Sequence, residues 1–460
     1  MFGESEGIMD YNESLVKGSV AGSLIGFAVP IFLTNALQML YSATDILVLA
    51  NFSTNADVSG ATIGSQVVHL ITLAIIGLSI GLTVTLGHFS GAKSTKDLAG
   101  AIGTAIIFFS GIAFVLMMVM LLSNSAVINV MDTPPEAIGA ASSYFMICSL
   151  GIFFIIWYNV TASIFRGLGD SKPPLLFGAI ACVINVVLDL LFVVIFGFGA
   201  GGAAAATVIA QGCSVFFALV YIKRRSLGFT ITLADIRFRW QYVRRMFKIG
   251  APISFQEVTL TISFILITII ANRMGVNESA SVGIVEKLVG FLMMPSLAMA
   301  SAVAAMSAHN IGAGEMRRAE KCMWTAVGIT LTVAVPICVV TWFAGWIPIS
   351  VFTRDPYIVP NAVLYLRTYS LDCICVCFVW MFNAYFTSCN RSLFAMLHSL
   401  FATFFIRIPV VLFIAGIPGA TLFDIGLAMP LSTLGSIIVC IIYFYYLKSK
   451  KFAYIPPVSS

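Results

Sequence analysis

The sequence predicts an all-α polytopic membrane protein: twelve transmembrane helices in two six-helix lobes related by a parallel pseudo-two-fold repeat. Three observations carry this. The 460 residues are 60% hydrophobic and only 10% charged, with a mean hydropathy of +1.01, against about 45–50% apolar and about 25% charged in soluble domains. The apolar residues fall into twelve segments, each near the roughly 20 residues that a bilayer span needs. The two halves also share residues at a near-constant offset. Pro30 and Pro252 are 222 apart, and His88/His309, Gly91/Gly312, Ala92/Ala313, Tyr144/Tyr365, Ser149/Ser370, Phe165/Phe386 and Ser171/Ser392 are each 221 apart. Six spans per repeat is an even number, so both halves keep one orientation and the repeat is parallel.

The spans are expected at 20–50, 58–88, 99–122, 137–163, 173–198, 202–222, 247–272, 280–308, 320–346, 358–388, 393–416 and 421–447. Ahead of them the chain is polar through Lys17, with Glu4, Glu6, Asp10 and Glu13. This is not the basic leader of a cleaved signal, so the first span is expected to be retained. Residues 1–222 form the expected N-terminal lobe, 223–246 a basic cytoplasmic linker and 247–460 the C-terminal lobe.

The loops orient the spans. One set of ends and loops holds Lys17, Lys93, Lys96, Arg166, Lys172, Lys223, Arg224, Arg225, Arg237, Arg239, Arg244, Arg245, Lys248, Arg317, Arg318, Lys321, Arg391, Lys448, Lys450 and Lys451. The opposite set holds only Arg273 and Arg354. The positive-inside rule then puts both termini in the cytoplasm of a plasma-membrane protein. This distribution also accounts for the net charge of +5 without a nucleic-acid partner. Membrane lipids are the expected neighbours of the linker. Cys373, Cys375 and Cys377 alternate along one apolar run, which is poor geometry for a metal and reads as small core residues.

Within the spans, polar residues mark the chemistry. Asn185 and Asp189 are four apart in the fifth span, which puts them on one helix face about 6 Å apart along the axis. A carboxylate in hydrocarbon is costly, so it should face protein or a wet cavity. Asp45 lies in the first span, Asn159 in the fourth and Thr207 in the sixth. Carboxylate, amide and hydroxyl oxygens are hard ligands that suit Na⁺, and two close carboxyls can instead hold a shared proton. Na⁺ is therefore a candidate at Asp45, Asn159, Asn185 and Asp189. Pro30 can bend the first helix and tie its shape to the state of Asp45; a static packing kink is the alternative.

The C-terminal spans differ in charge. They hold Glu257, Glu286 and Asp372, but also Lys287, Arg367 and Arg407. This set can neutralise itself, with Glu257 pairing with Lys287 or Arg407, so the N-terminal half is the better cation site. His88 and His309 read as helix-end packing or capping residues, and His69 and His398 lack a titratable partner in sequence. No Gly-Lys nucleotide loop, HExxH or GxSxG motif occurs, which removes ATP-driven pumps and the common intramembrane hydrolases. The chain is not expected to be an enzyme, and no cofactor is implied.

The segments AVPIFLTNALQMLYSATDILVLANF, HFSGAKSTKDLAGA, IFRGLGDSKPP, FKIGAPISFQEVTL and HNIGAGEMRRAE resemble the multidrug and toxic compound extrusion (MATE) transporters over about residues 17–450. The resemblance implies a twelve-helix, two-lobe antiporter that exports small organic cations in exchange for Na⁺ or H⁺, and a monomer is expected. On it, Asp45 and Pro30 match the acidic residue and the bending proline of the first helix. Asn159, Asn185, Asp189 and Thr207 match the N-lobe cation-site positions, with Tyr144 near them. Glu257 resembles the seventh-helix glutamate of the NorM-like branch. That branch's later aspartate is replaced by Val376, and Asp372 lies one turn earlier, so Glu257 and Asp372 form a secondary C-lobe candidate. Asn51 stands where the DinF-like branch commonly has an arginine. The alternative is a lipid-linked oligosaccharide flippase of the same superfamily, which would offer Arg or Lys to a pyrophosphate.

Overall fold

A computed structural model describes residues 15–224 and 229–450. Twelve helices among them are long and apolar enough to cross a membrane. They are α1 Val20–Phe52, α2 Asn55–Gly91, α3 Thr95–Val130, α4 Pro135–Gly167, α5 Lys172–Ile195, α6 Gly199–Arg224, α7 Trp240–Met274, α8 Val276–Gly312, α9 Met316–Ala344, α10 Ile358–Ser388, α11 Ser392–Ala415 and α12 Leu422–Ser449. A short helix, Trp346–Ser350, lies between α9 and α10. The longest have 37 residues. At 1.5 Å per residue they exceed the roughly 30 Å hydrocarbon core. The helices therefore run past the apolar windows read from the sequence.

The repeat is visible in the turns. After α2 the backbone closes with Ser94 N donating to Phe89 O (2.9 Å), and after α8 with Glu315 N donating to Asn310 O (2.8 Å). Lys93 (φ 55°) and Gly314 (φ 83°) hold matching left-handed positions, 221 apart. The RGLGDSKPP turn after α4 pairs in the same way with the turn after α10. Asp170 N donates to Phe165 O (2.9 Å) and Arg391 N to Phe386 O (2.7 Å), around left-handed Gly169 and Asn390. Glycine and asparagine tolerate that conformation best. Packing repeats as well: α4 packs against α2, α3 and α6, and α10 against α8, α9 and α12.

The chain forms two compact units. One contains Val29–Ser254; the other contains Gly18–Ala28 together with Phe255 onward. The divisions fall beside Pro30 and Pro252, inside α1 and α7 rather than in the basic linker. The segment expected as a separate linker at 223–246 packs, where described, within the first unit. Thr104 Oγ1 donates to Arg237 O (3.0 Å) and Tyr242 OH to Asp97 Oδ1 (2.8 Å). The opening turns of α7 also press on α2, where a Cβ at Gly77 would sit 2.5 Å from Ser254 N and one at Gly250 2.7 Å from Leu78 Cα.

Candidate cation site

The first unit brings four of the predicted polar residues together. Thr207 on α6 donates its hydroxyl to Asp45 Oδ2 on α1 at 3.1 Å. It accepts from Asn185 Nδ2 on α5 at 3.4 Å. The Asp45 and Asp189 carboxyls are close enough to interact electrostatically. Asp189 is fully buried, Asn185 is 1% exposed and Asp45 9%. Asp45 Oδ1, Asn185 Oδ1 and both carboxyl oxygens of Asp189 are buried without a donor. A hydrogen bond between the two carboxyls exists only when one carries a proton. Both can ionise at that separation only if a cation sits between them. Neither carboxyl forms an ion pair among the described residues.

Local structure explains the placement. α5 keeps α-helical geometry through Asp189 and then turns to π-helix over Leu190–Ile195. Such insertions concentrate at functional sites because the extra residue re-aims the side chains beside it. α6 starts at Gly199, whose φ of +54° suits glycine. Its opening amide at Ala200 is held by Asp57 Oδ1 at 3.1 Å. The same Asp57 closes the capping box with Thr54 that starts α2.

Three further predicted residues fall differently. Asn159 stays on α4 and donates its amide to Ile155 O at 2.9 Å, and the hydrogen-bonded group above does not include it. Tyr144 is 8% exposed, packs on Gly64 of α2, and feels the charges of both Asp45 and Asp189. α1 runs as unbroken helix through Pro30, whose carbonyl accepts from Thr34 Oγ1 at 2.8 Å.

The structure adds residues that the sequence reading passed over. Gln211, one turn after Thr207, lies beside Tyr41, one turn before Asp45. Gln211 Oε1 is buried without a donor. Gln38 Nε2 donates to Tyr158 OH at 3.0 Å. For Gln211 and Tyr41 the signal was present as i, i+4 spacing from Thr207 and Asp45.

The C-terminal candidates are arranged otherwise. Arg407, 8% exposed, ends the π segment of α11, Ala402–Arg407. It donates to Ser432 Oγ (3.2 Å) and Ser263 Oγ (3.3 Å), with its Cζ 5.5 Å from the Phe264 ring centroid. Asp372 is 3% exposed and lies within electrostatic range of Arg407. Lys287 is exposed and Glu257 half-buried. The expected pairing of Glu257 with Lys287 or Arg407 is therefore not formed: Lys287 faces outward and Arg407 is committed to two serines. Arg367 Nε is likewise taken by Trp342 O at 2.9 Å.

The histidines divide. His88 Nδ1 lies 2.9 Å from Arg245 Nη2, and His309 Nδ1 bonds its own helix at Ala305 O (2.9 Å). His398 meets Asn383 Oδ1 at 2.7 Å and Ser436 Oγ at 3.2 Å. Among the described residues no three His, Cys, Asp or Glu side chains cluster as a metal chelate.

A repeated six-helix membrane architecture with buried carboxyls in one lobe is that of a membrane transporter rather than an enzyme. The profile of the MatE family matches residues 30–191 and 252–413, two copies that reproduce the internal repeat, and the chain belongs to that family. A protein named probable multidrug resistance protein YpnP, from Bacillus subtilis (strain 168), is 27% identical over 431 residues, covering 94% of this chain and 96% of its own length. A probable multidrug resistance protein NorM from Bacillus anthracis is 23% identical over 336 residues, covering 71% and 73%. A solved structure described as the outward-facing conformation of a multidrug resistance MATE family transporter of the MOP superfamily matches with a TM-score of 0.89 at 19% identity, covering 98% of this chain and 99% of its own.

Proposed function

We propose that the protein is a multidrug exporter that moves small organic cations out across the plasma membrane in exchange for Na⁺ or H⁺. It works as a single chain with both termini in the cytoplasm. The observation that carries this reading is the Asp45–Asp189 carboxyl pair, buried beside Asn185 and Thr207 with acceptor oxygens that no protein donor reaches. A coupling cation or proton satisfies those oxygens. When it leaves, the same negative charge attracts a cationic substrate. An ion drives such a cycle only through different affinities for the two access states. Asn159, one turn beyond Ile155, serves the site from α4. Pro30 is the position where α1 changes shape as Asp45 changes charge. Glu257 and Asp372 are a secondary candidate in the other lobe.

The test puts purified protein into liposomes with a fluorescent organic cation and imposes a Na⁺ gradient and a pH gradient separately. Dye movement under one gradient is expected and names the coupling ion. Asp45→Asn and Asp189→Asn should each reduce gradient-driven movement by at least about a hundredfold, since a group required for coupling is removed outright. Full movement in either variant would sink the assignment. The flippase reading is not favoured: the relatives carry multidrug names, and the guanidiniums of Arg367 and Arg407 that would serve a pyrophosphate are engaged by Trp342, Ser263 and Ser432.

A further inference from the structure

The described part of the segment between α6 and α7, residues 229–239, is seated on α3 and leads directly into α7. Two glycines of α3 make room for it. A Cβ at Gly103 would meet the backbone of Asp235 and Ile236, and one at Gly100 would lie 2.9 Å from Tyr242 Cε2. The hydrogen bonds from Thr104 Oγ1 to Arg237 O (3.0 Å) and from Tyr242 OH to Asp97 (2.8 Å) fix the seat.

The acidic groups of this region turn toward it. Asp97 accepts from Tyr242. Asp235 accepts from Thr232 N (3.0 Å) and Oγ1 (2.7 Å), which hold its carboxyl below the usual range, and it lies 3.9 Å from Arg239. The groups turned outward are of another kind. Arg237 and Arg244 are exposed, between Phe238 (55%), Trp240 (66%) and Phe247 (54%). The Phe238 and Trp240 rings lie 6.4 Å apart and nearly parallel, at 30°. Trp240, Arg244 and Phe247 follow i, i+4, i+7 spacing and share one face of α7.

Depth points the same way. The 35 residues of α7 extend about 52 Å at 1.5 Å each, against a hydrocarbon core of about 30 Å. Its first turns therefore stand at headgroup level, where tryptophan rings settle and arginines reach phosphates in pairs of hydrogen bonds. An acidic protein segment would satisfy the guanidiniums and leave three large rings in water; a bilayer surface satisfies both.

We propose that Arg237, Phe238, Trp240, Arg244 and Phe247 form a prefolded recognition face for anionic phospholipid headgroups. The guanidiniums take the phosphates, the rings lie at glycerol depth, and the α3 seat holds the face ready. Binding of this kind ties the start of α7 to leaflet composition.

The test uses the full chain in nanodiscs of phosphatidylcholine and phosphatidylglycerol in equal parts, with bromine on the acyl chains of one lipid or the other. Quenching of Trp240 is read as wild type minus Trp240→Phe. Brominated phosphatidylglycerol should quench at least about threefold more than brominated phosphatidylcholine, the enrichment expected from electrostatic attraction of two cations to anionic lipid. Raising salt should erase the difference, as should the double variant Arg237→Gln, Arg244→Gln. The salt titration on wild-type protein keeps the test usable if the double variant folds poorly. Equal quenching by the two lipids overturns the proposal, as does a phosphatidylglycerol preference that survives the double variant. So does quenching by neither lipid together with concentration-dependent self-association, which would assign the face to a second copy. Dye transport is not a readout, so the result stands apart from the antiport reading.

Discussion

Thr207 shows how much one hydroxyl decides. Its single proton goes to Asp45, so its lone pair is left for the Asn185 amide. That turns the Asn185 carbonyl oxygen into an unsatisfied buried acceptor. Thr207→Val keeps the shape and removes this ordering. A hydrogen bond of this kind contributes about 1 kcal/mol, which is about fivefold in an equilibrium constant. The concentration of coupling ion giving half-maximal efflux should rise by about that factor with the maximal rate retained, and Thr207→Ser should restore it; an unchanged half-saturation in Thr207→Val would remove the residue from the site. At this scale the sequence is legible where spacing along one helix decides, as for Asn185 and Asp189. It is not legible where a side chain chooses between its own helix and a neighbour. Asn159 takes the carbonyl of Ile155, and His398 finds Asn383 and Ser436 on two other helices, choices of rotamer and helix rotation that no spacing reports.

Among the elements, the contact between α2 and the start of α7 is set by missing side chains. A Cβ on Gly81 would run into the Met246 carbonyl and sit 2.8 Å from Gly250 N, and these are backbone atoms that cannot rotate away. Small residues four apart let two helices approach closely, and that closeness replaces the hydrophobic drive that lipid does not supply. Gly81→Ala should therefore lower the thermal unfolding temperature in detergent, with a cost of about 1–3 kcal/mol typical of overpacking. Gly111→Ala on α3 meets no atom within 4 Å. It should instead hold or raise that temperature, because alanine favours helix over glycine by about 1 kcal/mol. The reverse ranking of the two variants would show that the contact has slack for a methyl group. The sequence displays Gly77 and Gly81 plainly, but a spacing of four says only that a helix face is flat. Which partner lies on it depends on the whole arrangement of spans. The π segments of α5 and α11 are equally hidden, since an apolar run such as LLFVVI has no residue that demands the wider turn.

Across the whole molecule, the two matching halves differ in the charge they bury. Twelve spans, the parallel repeat and the turn after each second and fourth helix of a half were all readable, because hydropathy and matched glycine, histidine and serine positions record them directly. The division of the chain beside Pro30 and Pro252 was not, since it depends on which helices the opening turns of α7 touch. The charge difference has a consequence for coupling. Among the described residues, the first unit buries Asp45 and Asp189 without an ion-pair partner. The second buries Asp372 in the field of Arg407, a cation built into α11. A carboxylate that already feels a fixed guanidinium gains less from binding Na⁺ or H⁺, so its affinity changes less between access states, and only that change does work. Asp372→Asn should then retain gradient-driven dye efflux within about threefold of wild type, the loss expected when a contributing but uncoupled contact is removed. Its thermal stability should fall because Arg407 loses its nearby negative charge. Asp45→Asn should show the opposite pattern, stability kept and coupling lost. Efflux that fails in Asp372→Asn protein of unchanged stability would place a working cation site in both units, and the two halves would then be alike in chemistry as well as in fold.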